Sequence, residues 1–110
     1  VIDRRMLEVE LRRAHARGEF ELHYQPQIDL ATGLTFGAEA LLRWRHPERG
    51  MLSPAAFLDT LAGSALSLDV GRWIIHQACR DAARWPRVGG RDIAISINLF
   101  PGQVHETDLG

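Results

Sequence analysis

Apolar and polar positions change period several times along the chain, and each change marks an element. Leu7, Leu11 and Ala14 recur at helical spacing between Asp3, suited to an N-cap, and Gly18, suited to a helix C-terminus. This pattern predicts a helix over residues 4–17. From Phe20 the period falls to two, with Phe20, Leu22, Tyr24 and Ile28 on one side and Glu21, His23, Gln25 and Gln27 on the other. Pro26 has no amide hydrogen to donate, so this strand should lie at a sheet edge or lose a ladder bond there. Turn-forming residues at 29–33 then lead to a second alternating run at 34–44, which predicts an antiparallel hairpin. In that run Leu34, Phe36, Ala38, Ala40, Leu42 and Trp44 share one side, and Thr35, Gly37, Glu39, Leu41 and Arg43 share the other.

Ser53 as N-cap and Pro54 in the first helical position start a short helix through Phe57, Leu58 and Leu61. Ser67 or Asp69 can cap a longer one, whose stripe of Val70, Ile74, Ala78, Ala82 and Trp85 is stopped by Pro86. After a turn at 87–91, a third strand is predicted at 92–99, with Ile93, Ile95, Ile97 and Leu99 opposite Ala94, Ser96 and Asn98. The class is therefore α/β, three strands and about three helices. Each strand has an apolar side that helices could cover and a second side of small or polar groups. Polar groups buried without partners cost several kcal/mol, roughly 2–7 each, so that second side must meet water, a ligand or a metal. The inside of a β/α barrel and a half-solvated sheet both satisfy this requirement.

Composition narrows the function classes. The 110 residues, 45% apolar and 25% charged, are an ordinary soluble domain or part of one. No window reaches the roughly 18 consecutive apolar residues of a membrane span, and the acidic start does not read as a secretory signal, so a cytoplasmic location without membrane insertion is expected. A formal charge of -1 offers no chain-wide attraction to a nucleic-acid polymer, so any anion must be met locally. All 13 basic residues are arginines, and the single cysteine, Cys79, excludes a disulfide framework and reads as a small core residue. The five histidines lack metal-ligand pairing, and Trp73 and Trp85 read as packing residues.

Three residues on the polar sides carry candidate chemistry. Glu39 suits a hard divalent cation, to which Asn98 could add a carbonyl oxygen, and Arg43 has the fork that takes a phosphate through two hydrogen bonds. Four residues of strand separate Glu39 from Arg43, roughly 13 Å of backbone, so two distinct partners are implied. A solvated glutamate, a rim arginine and a hydrogen-bonding asparagine are the plainer reading of the same residues.

The triplet Glu39-Ala40-Leu41 within GAEALLRWRHPERG resembles the signature of the EAL domain, a family of cyclic di-GMP phosphodiesterases. LHYQPQIDLATG before it, SPAAF after it, the GRWII helix and SINLF fall in family order across nearly the whole chain. The resemblance implies a TIM-like barrel with an antiparallel first strand, of which residues 1–110 would be the N-terminal portion through the strand carrying Asn98. It implies hydrolysis of the bacterial second messenger cyclic di-GMP to linear pGpG in signal transduction, with two magnesium or manganese ions. Carried over by motif, Glu39 and Asn98 match metal ligands, Glu39 thereby being catalytic. Arg43 and Gln25 match substrate-binding residues, and Leu41 a residue shaping the nucleotide site.

The chain departs from the family chiefly in extent, since a full barrel needs roughly 250 residues and about eight strands. The family's downstream acidic residues and lysine are not in this sequence, so these residues alone are expected to be inactive. An open sheet edge would lead them to pair with the remainder of the domain or with a second copy as a homodimer. Residues 61–65 and Phe100 also depart from family pattern, in loops. The alternative function is a catalytically inactive EAL domain serving as a cyclic di-GMP receptor or a protein-interaction module.

Overall fold

A computed structural model of the chain describes residues 3–97. Asp3 accepts a 2.8 Å hydrogen bond from the Arg5 amide and starts α1 (Arg4–Arg17). Gly18 ends it in the left-handed region at φ 70°, its amide directed to the Ala14 and His15 carbonyls. Strands β1 (Phe20–Ile28) and β2 (Thr35–His46) form the antiparallel hairpin in the register Phe20–Trp44 through Gln27–Gly37. A bulge follows, since Ile28 pairs with Thr35 and leaves Phe36 as an extra residue.

The centre of the sheet is β2. Its second edge carries β3 (Gly50–Leu52), antiparallel, at Trp44–His46 and β4 (Ala94–Ile97), parallel, at Gly37–Ala40. Among the described residues Pro26 thus lies on an edge strand, one of the two outcomes its missing donor allows. The alternation pattern missed β3, because three residues after a turn are too few to show a period. His46 makes the turn before it: its buried ring accepts from the Glu48 and Arg49 amides at 3.1 Å through Nδ1 and meets Glu10 of α1 through Nε2.

After a single 3-10 turn at Pro54–Ala56 come α2 (Leu58–Ala62) and α3 (Ser67–Ala82). Ser53 does hold the N-cap position of that turn, but without a side-chain bond. Helix α3 is capped by neither Ser67 nor Asp69; Leu66 occupies its N-cap, and the helix ends before Trp85. One core forms where the three helices meet the sheet: Leu7 and Leu11 from α1, Phe20, Leu42 and Trp44 from the hairpin, Phe57 beside α2, Leu61, Val70 and Ile74. Trp44 is fully buried, edge-on to Phe57 at 5.5 Å, and donates its indole N–H to Glu19 at 3.0 Å.

Two expectations about burial fail. Ile28, Leu34 and Phe36, placed on the covered side by alternation, are exposed near the hairpin's turn, where the bulge interrupts the alternation. Cys79 is exposed rather than in the core, directly after the buried Ala78 on α3. Among the described residues no helix is long and apolar enough to cross a membrane.

Candidate active site

Strand alternation builds the site, and the buried side holds it. Ala38, Ala40 and Leu42 are buried on one side of β2, which turns Glu39, Leu41 and Arg43 to the opposite face, each half-buried. In the hairpin register Gln25 stands opposite Glu39, His23 opposite Leu41 and Glu21 opposite Arg43. Ser96 of β4 is level with Glu39 on the other edge. Directly opposed residues share a face with Cβ atoms about 4.5–5.5 Å apart, so Gln25, Glu39 and Ser96 make one row of carboxamide, carboxylate and hydroxyl across three strands. Arg43 lies one strand segment further, toward the C-terminal end of β2, and donates Nη1 to the Leu42 carbonyl at 3.0 Å. The parallel strands β2 and β4 both run toward that end, where barrels of this architecture place their chemistry. Asn98 lies outside the described residues.

Two networks flank the row, neither of them foreseen from sequence. Behind Gln25, the Tyr24 hydroxyl donates to Asp81 Oδ2 of α3 at 2.5 Å, Gln77 Nε2 donates to Oδ1 at 2.9 Å, and Trp85 meets the Tyr24 ring edge-on at 4.8 Å. Burial, and secondarily the Asp81 carboxylate, push the Tyr24 hydroxyl far above the ordinary phenol range. Beside Arg43, Glu21 accepts from Arg45 Nε at 3.0 Å and Nη2 at 3.1 Å, and from His23 Nε2 at 2.9 Å. Those bonds, Arg45 first and His23 second, hold the Glu21 carboxyl below its usual value. Period-two spacing from Arg43 does put Arg45 on this face, but nothing in the sequence says which arginine Glu21 will choose.

A hard divalent cation needs several oxygen ligands. Among the described residues no three histidine, cysteine, aspartate or glutamate side chains converge, so Glu39 can supply one corner of such a site and not a whole one. A groove of about 510 Å³ lined by Asp29, Leu34, Phe36, Val88 and Arg91 lies at the hairpin's turn, the end of the sheet away from Arg43, and contains none of Gln25, Glu39 or Arg43.

The family model of the EAL domain matches residues 8–109. The chain is 39% identical over 90 residues to the bifunctional diguanylate cyclase/cyclic di-GMP phosphodiesterase MucR of Pseudomonas aeruginosa, covering 82% of this chain and 13% of that protein. The solved MucR phosphodiesterase in complex with cyclic di-GMP superposes with a TM-score of 0.73 at 36% identity, over 86% of this chain and 38% of that one. The EAL enzyme Bd1971, bound to cAMP and cyclic di-GMP, gives a TM-score of 0.70 at 41% identity over 73% of this chain and 21% of that one. The chain spans only 12% to 16% of the length of the curated relatives it matches. It carries part of a TIM-like barrel with an antiparallel first strand, and it belongs to the EAL domain family.

Proposed function

We propose that these residues form the N-terminal part of the active site of a metal-dependent cyclic di-GMP phosphodiesterase, and that they hydrolyse nothing without the rest of the domain. The observation that carries this reading is the common face of Gln25, Glu39 and Arg43 in a chain whose relatives include cyclic di-GMP phosphodiesterases. Glu39 is one carboxylate ligand of magnesium or manganese, with Asn98 a second ligand. A bound divalent cation supplies Lewis-acid polarisation of the phosphate oxygens and a more acidic water. Arg43 takes a phosphate of the substrate with its planar fork, which a lysine could not reproduce. Gln25 orients the substrate beside Glu39, and Leu41 between them and Arg43 gives the nucleotide an apolar contact. The product is linear pGpG.

The test is conversion of cyclic di-GMP by the complete domain with Mg²⁺ or Mn²⁺. Wild type should produce pGpG, and Glu39→Ala should lose at least about a hundredfold in rate, as expected for removing a ligand of a catalytic metal. A well-folded complete domain that produces no pGpG overturns the enzymatic reading, and retained cyclic di-GMP binding would then make the domain a receptor.

A further inference from the structure

Glu21 sits opposite Arg43, yet it spends its carboxylate on Arg45, one period further along β2. Both oxygens are engaged by that guanidinium, and His23 adds a third contact, while the Arg43 side chain turns to a backbone carbonyl. Two guanidinium groups therefore project from the same face of one strand, with backbones about 6.5 Å apart, and only the outer one is neutralised by Glu21. Arg45 is 66% exposed, so its ion pair is bathed in water, where such pairs are weak and easily exchanged. A phosphate offers the same fork-to-oxygen geometry as the carboxylate, and it can displace Glu21 without disturbing any packed residue.

We propose that Arg45 is a second anion-binding residue of this face, masked by Glu21 until a phosphate-bearing ligand displaces the carboxylate. The ligand class is a cyclic dinucleotide, whose two phosphates give it charge for more than one arginine. The inference rests on the proposed cyclic di-GMP site and adds to it a specificity-determining pair, Glu21 and Arg45. Glu21 sets how much cationic charge the site shows to weakly charged ligands, and Arg45 rewards a ligand with enough phosphate to compete.

The test is calorimetric titration of cyclic di-GMP, in a hydrolysis-resistant phosphorothioate form, into the longest natural chain that contains these residues. Glu21→Gln keeps the shape of the side chain and removes its charge. It should tighten binding about three- to tenfold, the scale of one charge-assisted contact. A double variant, Glu21→Gln with Arg45→Ala, should lose that gain. Removal of a merely structural pair would weaken binding in Glu21→Gln, and a general loss of negative charge would leave the gain intact in the double variant; either result overturns the inference. If the wild-type protein, folded by circular dichroism, binds no cyclic di-GMP, the underlying functional reading fails and the inference with it. If wild type binds and Glu21→Gln binds equally well, the inference fails alone.

Discussion

Trp44 joins three structural tasks in one side chain. Its ring is fully buried between Phe20 and Phe57, its N–H is satisfied by Glu19, and its backbone follows Arg43 on the strand that presents the site. Trp44→Ala should cost roughly 3–5 kcal/mol, the range for deleting a buried aromatic, read as a lower urea midpoint with an unchanged slope. Tyr24 allows a second measurement, because it is the only tyrosine in the chain. Its hydroxyl is raised by burial and by Asp81, so its hydrogen bond stabilises the fold fully below the ordinary phenol value. That contribution is lost only as pH rises from there through the higher folded value. Tyrosinate absorbance of the folded protein should therefore stay absent where a free tyrosine ionises, at about pH 10. Asp81→Asn should bring the midpoint part of the way down, since burial, the larger cause, remains. A wild-type phenol titrating in the ordinary range would contradict the Tyr24–Asp81 bond.

At the scale of elements, the hairpin positions the site and β4 completes its row. Gly37 is the point where these two pairings meet, opposite Gln27 on one edge and Ala94 on the other. A Cβ there would lie 2.7 Å from Gln27 Oε1 and 3.2 Å from the Ala94 carbonyl oxygen. The glutamine can swing away, but the carbonyl belongs to the backbone of β4 and cannot yield without moving the strand. Gly37→Ala should cost about 1–3 kcal/mol, as overpacking does, and appear as a lower Tm together with weaker amide protection in β4. An unchanged melt would mean that β4 moves freely against β2. The helices were easier to foresee than their ends: α1 has a side-chain cap and a glycine stop, whereas α3 starts after Leu66 with no side-chain cap. A stripe of apolar residues specifies a face and says little about the last turn.

Across the whole molecule, helices gather on one side of a mixed sheet and polar groups on the other. Such a face, with Glu39 and Arg43 half-buried on it, fits the wall of a barrel lumen, and the solved EAL domains supply that architecture. The apolar side of β2 is buried from Ala38 to Trp44, while Ile28, Leu34 and Phe36 are exposed near the hairpin's turn. The packed core thus lies behind Leu42 and Trp44, at the end of β2 that carries Arg43.

Alternation and turn chemistry were enough to place the hairpin, the first helix with both caps, and the common face of Glu39 and Arg43. These are properties of one strand or one helix, carried by period and local hydrogen bonding, and motif order added the family. Partner choice required the folded chain. Period two says which side Gln25 faces but not that Glu39 stands opposite it, and it cannot say that Glu21 will bind Arg45 when Arg43 is directly across. Nor can a helical stripe say how far a neighbouring sheet extends, which is why Cys79 lies in solvent and Leu34 and Phe36 are uncovered. Register and coverage depend on contacts between residues distant in sequence, and only the packed tertiary structure decides among them.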